Sequence, residues 1–182
     1  MSAREKYVAG PATGAEARQV GDTWTLVLVR ELRHSPEKVW KALTDPAELR
    51  EWAPFDADRN LGATGPAKLT RVSAHALDVS EMSVKRAEAP RVLEYDWGGH
   101  DMRWELEPVH NGTRLTLWHN IGRDFVSMGA AGWHICFDVL DHFLAGDPIG
   151  RIVAGDAMKV GWKRLNAEYA KQFGIEPRKP SL

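Results

Sequence analysis

A chain of 182 residues, 43% apolar and 27% charged, has the size and composition of a single soluble globular domain, which excludes the disordered class. Its formal net charge of −1, with Lys and Arg scattered among acids, supplies no field for nucleic acid or an anionic membrane surface. The single cysteine, Cys136, excludes an intramolecular disulfide and a zinc site built on several thiolates, and no apolar run reaches the ~18 residues of a membrane span.

Residues 1–22 are rich in Ala, Gly and Glu without a sustained period. They read as a loosely ordered lead-in to one domain over 23–175, with a tail at 176–182. The lead-in lacks the apolar core of a signal peptide, so a cytoplasmic location is expected. "TWTLVLVREL", Thr23–Leu32, alternates as a strand does, with Trp24, Leu26 and Leu28 on one face. In "HSPEKVWKALTDPAELREW" two helix starts follow each other. Ser35 caps with Pro36 in the first helical position, then Asp45 caps with Pro46 behind it. Val39, Trp40 and Leu43 form the apolar stripe of the first of these helices.

A meander of strands follows: "AKLTRVS", "ALDVSEMSVKRAEAP", "RVLEYDW" broken at Gly98-Gly99, "DMRWELEPV", and, after an "HNG" hairpin turn, "TRLTLWHNIG". Met102, Trp104 and Leu106 share a face, as do Leu115, Leu117 and His119. The period then changes. Trp133, Cys136, Phe137, Leu140, Phe143 and Leu144 recur at three and four residues, and Gly146 stops the helix. A second helix is predicted through "DAMKVGWKRLNAEYAKQF", Asp156–Phe173, with Met158, Trp162, Leu165, Tyr169 and Phe173 as its stripe. Strand, two short helices, meander and long helices make an α+β domain.

That order, with "SPEKVWKALTDPAELREW" and "GTRLTLWHN…AAGWHICFDVLDHFLAG", resembles the activator of heat-shock-protein-90 ATPase homologue-like branch of the START and birch-pollen-allergen superfamily (SRPBCC) from about Thr23 to Phe173. The resemblance implies a helix-grip fold: a curved antiparallel sheet around a long C-terminal helical region, with a hydrophobic cavity between them. It does not select an activity, because the superfamily includes lipid carriers, hormone receptors, polyketide cyclases and a co-chaperone domain.

The residues themselves suggest a small, mostly hydrophobic ligand in an aromatic cavity, with no cofactor. Eight tryptophans are many for this length. Candidate lining residues are Trp40, Trp52, Phe55, Trp104, Leu117, His119, Trp133, Cys136, Phe137 and Leu140, with Trp52 and Phe55 at the rim. His119 continues the Leu115–Leu117 face, so burial would favour its neutral form and leave a hydrogen bond for a ligand. No residue is assigned as catalytic. An enzyme of the cyclase, dehydratase or hydrolase type would use His119, and a chaperone-regulating or other protein-interaction module is the third reading. A homodimer is compatible with the aromatic content. His134, Asp138 and His142, spaced four and four, are the only candidates for a metal. They are read instead as a solvated helix face, and Cys136 as a small core hydrophobe.

Overall fold

The computed structural model describes residues 1–73 and 77–178. A single helical turn, α1 (Ala3–Lys6), precedes β1 (Ala15–Val20) and β2 (Thr23–Leu32). The helices α2 (Pro36–Thr44) and α3 (Pro46–Trp52) form where the caps predict. The Ser35 hydroxyl accepts the Lys38 amide at 3.2 Å, and the Asp45 carboxylate accepts the Ala47 amide at 2.8 Å. Then come β3 (Phe55–Ala57), β4 (Gly65–Arg71), β5 (Asp78–Val84), β6 (Arg86–Glu88), β7 (Val92–Trp97), β8 (His100–Val109) and β9 (Gly112–Asn120). A 3-10 turn leads into α4 (Val126–Leu144), followed by α5 (Gly155–Met158) and α6 (Trp162–Phe173).

Six strands form one antiparallel sheet in the order β1-β2-β9-β8-β7-β6, and β3-β4-β5 form a second. Two turns close the central hairpins. Gly98 and Gly99, both at positive φ, join β7 to β8, and His110-Asn111, with Asn111 at φ 71°, joins β8 to β9. Strand alternation places Leu26, Leu28, Tyr95, Met102, Trp104, Leu115, Leu117 and His119 on the inner face, all but Tyr95 as read from sequence. Helix α4 lies on that face, with α2 and α3 against it and α6 covering its other side. Being covered all round, α4 buries Trp133, His134, Ile135, Cys136 and Phe137 in succession. This is the helix-grip arrangement, with α4 as the gripped helix.

Three stretches differ from the sequence reading. Residues 15–20 are an edge strand, paired with β2 from Ala15↔Leu28 to Val20↔Thr23, rather than part of a loosely ordered lead-in. "AEARQV" has no apolar period because most of this edge strand is exposed, so its pairing partner, not its pattern, makes it a strand. The long stretch "ALDVSEMSVKRAEAP" is two strands, broken at Lys85. Its first residue, Ala76, and the tail residues 179–182 lie outside the described residues. The second C-terminal helix is also interrupted. Gly161, at φ 110°, separates α5 from α6 and takes Met158 out of the α6 stripe.

Candidate functional site

The space between the inner face of the sheet and α4 is occupied by rings. Trp133 from α4 lies 5.4 Å from Trp104 of β8, 6.0 Å from Trp97 of β7 and 6.1 Å from His119 of β9, centroid to centroid. Trp52, Phe55 and Phe137 each approach Trp133 within 6.5 Å, mostly edge to face or tilted, as ring quadrupoles favour. The buried indoles of this cluster each have a hydrogen-bond acceptor: Trp52 donates to Ala42 O at 2.9 Å, Trp104 to Tyr95 Oη at 3.1 Å and Trp133 to His119 Nδ1 at 3.1 Å. Trp97 alone in this group is half-buried.

The Trp133 bond fixes the state of His119. An indole N–H can only donate, so Nδ1 is the acceptor and the imidazole proton sits on Nε2. Burial first, and the nearby His100 second, push the His119 pKa down to about 4. The ring is therefore neutral at pH 7. Its Nε2–H has no hydrogen-bond partner among the described residues, and although only 5% of His119 is exposed, that edge of the ring reaches solvent. The ring lies against Trp97 and His100, the last cross-strand pair before the Gly98-Gly99 turn.

Most of the candidate lining residues converge here. Trp52, Phe55, Trp104, His119, Trp133 and Phe137 belong to the ring cluster, and Leu117 pairs across the sheet with Trp104. Phe55 is fully buried rather than at a rim, as is Trp52. Cys136 and Leu140 are buried in α4, and burial pushes the Cys136 thiol up to about 12, a poor nucleophile. Trp40 lies elsewhere. It is half-buried on α2 beside the Asn60–Gly62 loop and has no ring contact with the cluster, because it sits at the margin of the α2 stripe. The sequence reading did not single out Trp97 and Tyr95. The alternation of "RVLEYDW" could have found them, since Leu93, Tyr95 and Trp97 share a parity.

The His134-Asp138-His142 face is not solvated, contrary to the sequence reading. His134 is buried, with Nδ1 2.6 Å from the Tyr169 hydroxyl of α6. Asp138 accepts from the Tyr7 hydroxyl and from Arg30 of β2, each at 2.5 Å. Only His142 is substantially exposed, 3.6 Å from Asp147. The helix pattern showed these polar positions but not the N-terminal segment, β2 arginine and α6 tyrosine that cover them. Among the described residues, no group of three or more His, Cys, Asp or Glu side chains is arranged to hold a metal ion. An open depression of about 230 Å³ is lined by Lys85, Glu94, Tyr95, Arg103 and Trp118 without Trp133 or His119, and its Lys85–Asp101 and Arg103–Glu94 pairs are already formed.

The family model for Activator of Hsp90 ATPase homolog 1-like protein matches residues 33–145, from just before α2 to the end of α4. No curated protein sequence matches the chain. Among solved structures, a conserved protein of unknown function from Enterococcus faecalis, EF2215, superposes with a TM-score of 0.68 at 17% identity, covering 89% of this chain and 91% of that one. CalU16 from Micromonospora echinospora superposes with a TM-score of 0.61 at 20% identity, over 90% and 96% of the two chains. An AHSA1-like protein from Aeromonas hydrophila gives 0.58 at 16% identity, over 67% and 92%. At these identities the likeness is one of fold. Among the described residues, no helix is long and apolar enough to cross a membrane.

Proposed function

The chain belongs to the Activator of Hsp90 ATPase homolog 1-like family, and from that premise we propose that it binds a small, mostly apolar molecule between the sheet and α4, at the ring cluster. One observation carries the reading: a neutral, nearly buried imidazole with one unpartnered N–H stands among aromatic rings. That N–H reaches the solvent edge of an otherwise apolar ring cluster, and an apolar site with one directional donor at its edge suits a ligand. Burying some 200 Å² of ligand contributes about 5 kcal/mol before association costs, at ~25 cal/mol per Å². Acid–base catalysis at His119 is the weaker reading, because no carboxylate hydrogen-bonds to it among the described residues and its depressed pKa makes it a poor base at pH 7.

The test is native mass spectrometry of protein purified from its own host, followed by denaturing extraction. The expected result is a stoichiometric extra mass that is released on unfolding. A bare native chain, combined with unchanged tryptophan fluorescence across an apolar compound library, would overturn the reading.

A further inference from the structure

Trp97 differs from its neighbours in how it is held. Trp52, Trp104 and Trp133 each anchor their N–H, but the Trp97 indole N–H has no hydrogen-bond partner among the described residues. Ring contacts hold it, with Phe55 at 5.0 Å, Trp133 at 6.0 Å and His119 at 6.1 Å, together with one cation–π contact. On the outside lies the Arg71 guanidinium, 5.1 Å from the Trp97 ring and 3.6 Å from Asp78. Trp97 also ends its strand, next to two glycines at positive φ where an added Cβ would meet nothing within 4 Å. The half-buried ring thus closes the cluster from a hairpin tip, with no directional bond to break when it leaves.

Beside it stands the His119 Nε2–H, which likewise has no partner among the described residues and reaches the solvent edge of the cluster. The Trp97 and His119 planes differ by only 25° at a centroid separation of 6.1 Å, an offset stack in which Trp97 covers part of the imidazole face and not its Nε2–H edge. A flat molecule of indole size would take over the Trp97 contacts, and an acceptor carried on a substituent that reaches past the stack would meet Nε2–H at the imidazole edge. The donor is neutral, its neighbours are rings and Arg71 is already paired with Asp78, so a carboxylate buried there would lose hydration without gaining a free counter-ion.

Resting on the ligand-site reading above, we propose that Trp97 is the displaceable plug of the site, and that the ligand is an uncharged, flat, bicyclic-sized molecule whose hydrogen-bond acceptor takes the His119 Nε2–H.

Three probes of one shape test this: 2-acetylnaphthalene, with a neutral acceptor; 2-ethylnaphthalene, with none; and 2-naphthoate, charged at pH 7. Each is titrated by calorimetry into wild type, Trp97→Ala and His119→Phe, with folding checked by circular dichroism. In wild type the ketone binds about five- to tenfold tighter than the ethyl compound, as one net hydrogen bond allows, and naphthoate binds weakest. Trp97→Ala tightens the two neutral probes by roughly thirtyfold, since no half-buried ring has to leave. His119→Phe abolishes the ketone preference and keeps the ethyl compound. Equal binding of ketone and ethyl compound, or tightest binding of naphthoate, overturns this inference and leaves the ligand-site reading standing. Unchanged affinities in Trp97→Ala overturn the plug. Failure of all three probes to bind both wild type and Trp97→Ala overturns the ligand site itself. If Trp97→Ala does not fold, Trp97→Leu takes its place, and the wild-type order of the probes still decides the acceptor.

Discussion

Tyr7→Phe removes one oxygen and tests how the N-terminal segment is latched to the domain. The Tyr7 hydroxyl donates to Asp138 Oδ2 at 2.5 Å, and Asp138 Oδ1 accepts from Arg30 at 2.5 Å. The Asp138 and Arg30 side chains are 19% and 22% exposed, so water screens the network only partly. A hydrogen bond to a charged acceptor contributes about 1.5–3 kcal/mol. Asp138 keeps its Arg30 partner in the variant, so no buried charge is orphaned and the expected loss is at the lower end, about 1.5 kcal/mol. For a chain of this size that lowers Tm by about 3–6 °C. Urea unfolding at pH 7 should show a lower midpoint with an unchanged slope. Asp138→Asn leaves Arg30 without its counter-charge and should cost more, about 2–4 kcal/mol. The double variant should fall short of the sum by about 1 kcal/mol, since both changes remove the same bond. A Tyr7→Phe loss under ~0.5 kcal/mol, or strict additivity with Asp138→Asn, refutes the latch.

Acid should weaken the fold through its buried histidines. His119 is held at about 4 in the folded chain against an ordinary 6.5, so the unfolded chain binds the extra proton between those values. Stability is therefore complete above pH 6.5 and falls as pH drops toward 4, by about 3 kcal/mol for this residue. Burial also lowers His134, which adds to the loss in the same direction. Urea midpoints of His119→Gln should flatten over this range, and a slope equal to wild type contradicts the assignment. Trp133→Phe removes the donor that occupies His119 Nδ1, so an NMR titration should find the His119 pKa raised from its depressed value; an unmoved value sinks that account. Gly112→Ala would put a Cβ 2.0 Å from Leu32 O, a backbone atom that cannot yield, and should cost several kcal/mol in denaturation experiments. Gly129→Ala meets only the side-chain ends of Ile121 and Leu26, at 2.8 and 3.6 Å, and should stay within about 1 kcal/mol of wild type. Equal costs for the two glycines would refute the distinction. Cys136 should resist iodoacetamide in native buffer and react only as the chain unfolds, whereas modification at a free-thiol rate would contradict its burial.

What the sequence disclosed was whatever follows from local period and capping. Ser35-Pro36 and Asp45-Pro46 act within three residues of themselves, so α2 and α3 were readable. The alternation through Leu115, Leu117 and His119 likewise put His119 on the inner face without any knowledge of the partner strands. Properties that depend on a distant partner were not readable. Ala15 to Val20 form a strand because β2 is beside them, and His134 is buried because Tyr169 of α6 lies over it. The tautomer of His119 belongs to the same class, since it is set by Trp133, fourteen residues along the chain and on a different element. Trp40 shows the opposite failure. Its spacing matches the buried stripe, but at the margin of an amphipathic helix the period does not say which side of the boundary a residue takes.

The filled interior sets the terms on which a ligand can bind. A fully buried aromatic side chain removes about 150–250 Å² from water, so the half-buried Trp97 ring contributes on the order of 100 Å². At ~25 cal/mol per Å² its displacement costs about 2–3 kcal/mol, a factor of roughly thirty or more in affinity. A ligand no larger than the indole regains little more than that sum, and its surplus is the single bond to His119. Tight binding therefore requires a molecule that extends past the Trp97 position, where Arg71 stands over the outer face of the ring and the exposed His100 lies at the edge of His119. Specificity and affinity then have separate sources. On the proposed reading, the imidazole edge would select for an acceptor, and the area covered beyond Trp97 would decide how long a ligand stays.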